Sequence, residues 1–141
     1  MRTLLFALLL SPFLAAQTPA QDDPMREFLF PPELIMQNQQ ALGLSDEQRE
    51  AVRNEIRTAS RQFTDLQWTL QDEVERLLTL VKQPKVDEKL ASAQLDKVLN
   101  AEREIKRAQF TLLIRIKNKL SPEQQAKLHE IQKSGARGKD D

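Results

Sequence analysis

Leu44-Ser45-Asp46-Glu47-Gln48 and Leu120-Ser121-Pro122-Glu123-Gln124 decide the fold of this chain, because each opens a helix and together they frame its longest amphipathic stretch. A Ser followed three residues later by Gln forms a capping box. The hydroxyl accepts from the third helical N–H, and the Gln side chain reaches back to the cap's own N–H. In the second copy Pro122 falls at the first helical position, where its missing N–H costs nothing and its fixed φ is already helical.

Working outward from the first cap, Val52, Ile56, Ala59, Phe63, Leu66, Leu70, Val74, Leu77 and Val81 recur at spacings of three and four. At about 100° per residue they stay within about 40° of one line, which predicts a long amphipathic helix from Ser45 to Lys82. Pro84 ends it, since Gln83 before the proline is steered away from α geometry. Asp87 is the expected cap of a third helix reaching Leu120, with Leu95, Val98, Ile105, Ala108, Leu112, Ile116 and Leu120 on one side. A short helix opens at Pro31-Pro32-Glu33, carries Leu34, Ile35 and Met36, and is closed by Gly43 as a left-handed cap. A fourth runs from Pro122 to Lys133, presents Ala126, Leu128 and Ile131, and is ended by Ser134-Gly135. The expected architecture is all-α: four helices, two of them long and amphipathic, forming a thin hairpin-like cradle expected to dimerise.

The N-terminus has the parts of a secretory signal, with Arg2 as the basic region, an apolar run from Leu4 to Leu10 and small residues beyond. That run is too short for a bilayer span of about 20 residues. Cleavage is expected after Ala20, with Ala16 as the alternative, so residues 1–20 are read as a signal peptide, 21–133 as one helical domain and 134–141 as a disordered charged tail. Export implies a periplasmic protein, and with no Cys its stability must come from helix packing. Lys and Arg number 21, as do Asp and Glu, a balance that argues against nucleic acid as a partner.

Three apolar residues miss the stripes. Trp68 falls about 160° round its helix from Val52, and Phe110 and Ile114 about 140° and 180° from Ile105. A monomer exposes all three, and on neighbouring helices they are candidates for a dimer interface or for a surface that holds other chains. Arg49, Arg53, Arg57, Arg61, Arg103, Lys106, Arg107, Arg115, Lys117 and Lys119 are candidates for long-range capture of charged partners.

The paired Leu-Ser-x-x-Gln segments, in a small exported helical chain, resemble the LTxxQ signature of the Spy/CpxP family of periplasmic chaperones and stress or metal sensors. Ser stands for Thr at Ser45 and Ser121, which keeps the capping hydroxyl. The resemblance implies a cradle-shaped homodimer that binds unfolded envelope proteins without ATP, as a holdase or as an envelope-stress regulator. It also implies a possible membrane sensor kinase as partner. Its motif residues are Leu44, Ser45, Gln48, Leu120, Ser121 and Gln124. The family's heavy-metal sensors supply the alternative reading, but the chain departs from what they need: it has one His, His129, and downstream of the signal only Met25 and Met36. Soft and borderline metals take imidazole and sulfur ligands, so no metal ligand is assigned and no cofactor is expected. With no Cys and no Tyr, and with acidic pairs explained by helix ends and i,i+4 pairing, no catalytic residue is assigned and an enzyme is not expected.

Overall fold

The computed structural model describes residues 24–137, so the expected signal peptide and the last four residues of the expected tail lie outside the described residues. A 3₁₀ turn, Pro24–Glu27, precedes four α-helices: α1 Pro32–Gln37, α2 Asp46–Val81, α3 Glu88–Lys117 and α4 Pro122–Arg137. No strand occurs among the described residues, and the all-α expectation holds.

Each boundary has a local cause. Helix α1 ends at Gln37 with Asn38 as its C-cap and not at Gly43: the Asn38 amide bonds back to the Leu34 carbonyl, the chain turns twice more, and Gly43, whose φ of 61° is the left-handed conformation that costs a side chain, closes that turn instead. The Leu44 N–H donates to the Gln39 carbonyl and the Gly43 N–H to the Gln40 carbonyl, the paired bonds of a Schellman motif. At α2 the full capping box is present on Ser45 and Gln48, and at α3 the Asp87 carboxylate accepts from the Leu90 N–H at 3.0 Å.

Helices α2 and α3, about 54 and 45 Å long at 1.5 Å per residue, run antiparallel as a hairpin. Their register is fixed near the tip by Gln94, a buried amide that donates to the Glu73 carbonyl at 2.9 Å and to its carboxylate at 2.5 Å. Toward the base Arg115 faces Glu55 at 3.8 Å. Residue 73 is thus level with 94, and residue 55 with 115.

The core is at one end. Phe30, Ile35, Leu42, Leu44, Val52, Ile116, Leu120 and Leu128 form one buried cluster, with Leu34, Met36, Ile56 and Leu112 packed against it. All four α-helices contribute to this base, whereas beyond about residue 63 the hairpin is two helices with nothing over them. Two helices bury only a narrow seam, so Val74 and Val81, expected on the α2 stripe, are exposed.

The α3 stripe also needs correcting: Leu95 is 44 % exposed, and the buried positions are Gln94, Val98, Ala101, Ala108 and Ile116. Small residues help set this seam, because Ala59, Ala101 and Ala108 let the two backbones approach, while Leu95 and Leu99, each one position on from buried Gln94 and Val98, are turned outward. Helix α3 stops at Lys117 rather than Leu120. The turn 118–120 closes with the Lys119 and Leu120 N–H groups bonding three residues back, because Ser121 must leave α geometry to cap α4 before Pro122. Helix α4 passes through Ser134 and Gly135 to Arg137. The Ser134 hydroxyl bonds the Glu130 carbonyl within the helix at 2.9 Å instead of ending it. Of its expected apolar face Leu128 is fully buried and Ile131 half-buried, but Ala126 is exposed.

Candidate functional site

The two motifs meet. Leu44 and Leu120, their first residues, are both buried in the base cluster, 7 % and 6 % exposed, and so bring the starts of α2 and α4 side by side. The Ser45 and Ser121 hydroxyls accept from the Gln48 and Gln124 N–H groups at 3.1 and 3.2 Å, while the Gln Oε1 atoms accept from the Ser45 and Ser121 N–H groups at 3.0 and 2.8 Å. Both capping boxes are complete, as the sequence predicts.

Sequence reasoning missed what the glutamines do next. Gln48 Nε2 donates to Gln124 Oε1 at 2.8 Å, and Gln124 Nε2 donates to Gln48 Oε1 at 3.0 Å, joining residues 76 positions apart. The remaining donor of each amide goes to the other motif's approach: Gln48 to the Lys119 carbonyl at 2.8 Å, Gln124 to the Leu42 carbonyl at 3.3 Å. Each Oε1 thus accepts twice and each Nε2 donates twice. A carboxylate in either place keeps the cap but has no donor, so the amide is needed for the clasp and not for the cap. Replacing Ser45 or Ser121 with Ala removes one cap acceptor and leaves the clasp, and is expected to cost about 1 kcal/mol each in urea denaturation. Two neutral substitutions would remove the capping account.

The off-stripe residues are exposed as expected: Trp68 by 61 %, Phe110 by 44 % and Ile114 by 36 %. They do not make one patch. Phe110 and Ile114 are one turn apart on α3, but the register puts Trp68 level with residue 99 or 100, about 15 Å along the hairpin from Phe110.

The exposed apolar residues that do share a face were read in the sequence as stripe residues, Val74, Val81 and Leu95, or not singled out, Leu78 and Leu99. Val74, Leu78 and Val81 of α2 and Leu95 and Leu99 of α3 are 36–51 % exposed. Counting about 100° per residue from Val52 and Val98, Val74 and Leu78 turn about 40° and 80°, and Leu95 and Leu99 about 60° and 100°. On antiparallel right-handed helices these rotations point to the same side, so one face of the tip is apolar. The other face is mixed: its grooves are lined by Thr58, Gln62, Thr69, Lys97, Asn100 and Thr111 together with Leu66, Ala101 and Leu112. The signal available in sequence was the pair Leu95 and Leu99 beside Val98, one turn apart and off the seam.

All the cationic candidates but Arg103 sit on the base half, several of them engaged. Arg49 pairs with Asp46, Arg57 reaches Glu50 at 2.6 Å, and Glu55 lies 3.8 Å from Arg115 and 3.9 Å from Lys119. These are surface pairs whose contribution is about 0–1 kcal/mol each. Lys117 Nζ sits 6.0 Å from the Phe28 ring centroid.

His129 faces a single residue, with Nδ1 3.2 Å from the Glu27 carbonyl oxygen and Nε2 3.6 Å from its carboxylate. Among the described residues no group of three or more His, Cys, Asp or Glu is placed to hold a metal ion. The donors that the described residues of one chain bring together therefore do not make a tight site for a borderline metal. No described helix is long and apolar enough to cross a membrane.

No curated protein and no solved structure matches the chain. A family model described as heavy-metal resistance matches residues 3–127, nearly the whole sequence, and the chain belongs to that family.

Proposed function

We propose that this protein is an exported, ATP-independent holding chaperone or envelope-stress regulator that binds partly unfolded polypeptides on its helical hairpin and works as a homodimer. The observation that carries the reading is the distribution of apolar surface. The base has a closed core, while the tip keeps five large apolar residues at 36–51 % exposure on one face. Apolar side chains left in water contribute little to folding, so a contiguous set of them marks a surface that binds something. The resemblance of the paired Leu-Ser-x-x-Gln motifs to the Spy/CpxP signature supports the same reading, as do the base-half arginines and lysines for capture at a distance. The motif Leu, Ser and Gln residues are structural in this proposal: they hold the cradle and touch no client. Neither catalysis nor a cofactor is part of it.

The test is suppression of aggregation of a chemically denatured model client, without ATP and with EDTA present. Protection near one dimer per client chain is expected, and a client that aggregates at its unassisted rate sinks the chaperone reading.

The family match favours a second reading, a metal-responsive sensor or metal-binding stress protein. It calls for donors beyond those the described residues of one chain bring together, as a site shared between subunits would supply. Zinc calorimetry separates the two. A stoichiometric micromolar site lost in His129→Ala supports the sensor, and protection unchanged by chelation supports the chaperone.

A further inference from the structure

We propose that the outer edge of the base half, the side of α3 turned away from α2, docks on an anionic lipid surface and holds the hairpin tip clear of it. The edge is made of residues that neither the base core nor the apolar tip face uses, so the proposal stands apart from client binding.

One stretch of α3 builds this edge. Residues 105–122 hold five basic residues and no acidic one. The buried positions of α3, from Gln94 to Ile116, centre about 40° to one side of Val98, so at about 100° per residue the arc from about 60° to 180° on the other side looks away from α2. Between Ile105 and Lys117 that arc holds Lys106, Arg107, Phe110, Leu113, Ile114 and Lys117, every one cationic or apolar. Phe110 and Ile114 are exposed and Leu113 is half-buried. The segment between the 3₁₀ turn and α1 lengthens the row with Phe28, 58 % exposed beside the Lys117 ammonium. Of the nearby carboxylates, Glu27 faces His129, and Glu104 lies 4.0 Å from Arg107.

Area and charge select the occupant. With about 150–250 Å² for a whole aromatic side chain, Phe28, Phe110 and Ile114 together expose roughly 300 Å², well short of the ~800 Å² per side of a stable protein interface. A bilayer surface needs neither that area nor a matching shape. It takes a shallow apolar row at headgroup level, lets Lys and Arg stems lie along that row with their charges at the phosphates, and gains about fivefold in partitioning for each such cation. Orientation follows from the division of charge, which the register places near residues 63 and 105. The base half, 46–63 with 105–117, holds four acidic and eight basic residues, whereas the tip half, 64–104, holds nine acidic and six basic. A surface that attracts the base repels the tip. The hairpin therefore projects from the lipid, with Val74, Leu78 and Leu95 free and Leu99, the nearest of the tip leucines, about 16 Å along α3 from Phe110.

Co-sedimentation of the chain from Gln21 with vesicles of phosphatidylglycerol and phosphatidylcholine tests the proposal, with far-UV circular dichroism to confirm folding. Wild type is expected to bind these vesicles, to leave vesicles of phosphatidylcholine alone, and to be released by about 0.5 M salt, where screening is nearly complete beyond a few ångströms. Lys106→Glu with Lys117→Glu is expected to weaken binding at least tenfold, Phe110→Ala with Ile114→Ala about fivefold at unchanged charge, and Leu78→Ala not at all. Trp68, the single tryptophan, is expected to keep its emission maximum on binding, whereas Phe110→Trp in a Trp68→Phe background shifts to the blue. Wild type left in the supernatant, equal binding to both kinds of vesicle, or undiminished binding of Lys106→Glu with Lys117→Glu overturns the proposal, and a blue shift of Trp68 overturns the orientation. A chain that ignores vesicles overturns it too, and passes the edge to an acidic protein if immobilised polyglutamate retains it, or to a second copy if Phe110→Ala with Ile114→Ala splits a dimer. The aggregation assay reads separately: protection without vesicle binding fails this inference and leaves the chaperone, and vesicle binding without protection does the reverse.

Discussion

Leu128→Ala is expected to lower stability by about 3 kcal/mol, or roughly 15 °C in Tm, while Leu78→Ala changes it by less than about 0.5 kcal/mol. Leu128 is fully buried in a cluster to which all four helices contribute, so truncation removes transfer free energy and leaves a cavity that the neighbouring helices cannot collapse into without shifting the motif clasp. Leu78 is 44 % exposed on a two-helix segment with no layer above it, so little is lost with its side chain. The contrast is informative because both are leucines on amphipathic helices. Client protection should respond in the opposite order, surviving in Leu128→Ala below its lowered Tm and falling in Leu78→Ala. Thermal and urea denaturation of the two variants, run beside the aggregation assay, decide it. Equal stability losses would mean that the tip is packed against something in solution and that its apolar residues are core.

That division between a stabilising base and an exposed tip was only partly legible in the sequence. The helices were, because their caps are local chemistry: Ser45 with Gln48, Asp87 and Pro122 act on atoms within three or four residues, and the boundaries fell within a few positions of them. Gly43 likewise announced a left-handed turn. What periodicity cannot give is the depth of the neighbour. Val74, Val81 and Leu95 satisfy the stripe as well as Val52 and Ile116 do, yet only the latter two meet a third and fourth element. Gln94 reads as a polar residue on a wet face until Glu73 is placed across from it, and its burial is a property of the pair. Phe30 and Leu42 lie in short irregular stretches where no period operates, so nothing in the sequence marked them as core. Trp68 and Phe110 were correctly placed outside the seam, but their separation along the hairpin needed the register, which depends on contacts 21 or more residues apart.

The candidate site shows the same limit more sharply, since each motif is readable alone while the link between motifs is not. Gln48→Ala and Gln124→Ala are each expected to cost about 2 kcal/mol, because each leaves a cap N–H, a carbonyl and half of the partner amide without a bond in a half-buried site. The double variant should cost less than the two added together, by about 1 kcal/mol, since the second change removes an amide that the first had already deprived of its partner. Gln48→Glu separates clasp from cap. A carboxylate still accepts from the Ser45 N–H and gains from the helix N-termini, by roughly 0.3–1 kcal/mol, but it cannot donate to the Lys119 carbonyl or to Gln124 Oε1 and instead sets oxygen against oxygen. If the amide matters only as a cap, Gln48→Glu will be as stable as wild type. If it joins the two helix starts, Gln48→Glu will lose on the order of 1–2 kcal/mol and its deficit will shrink when Gln124 is also Ala, because the opposed oxygen is then gone. Urea denaturation of the four chains in that cycle reads the coupling directly. A value near zero would reduce the paired motifs to two independent helix caps.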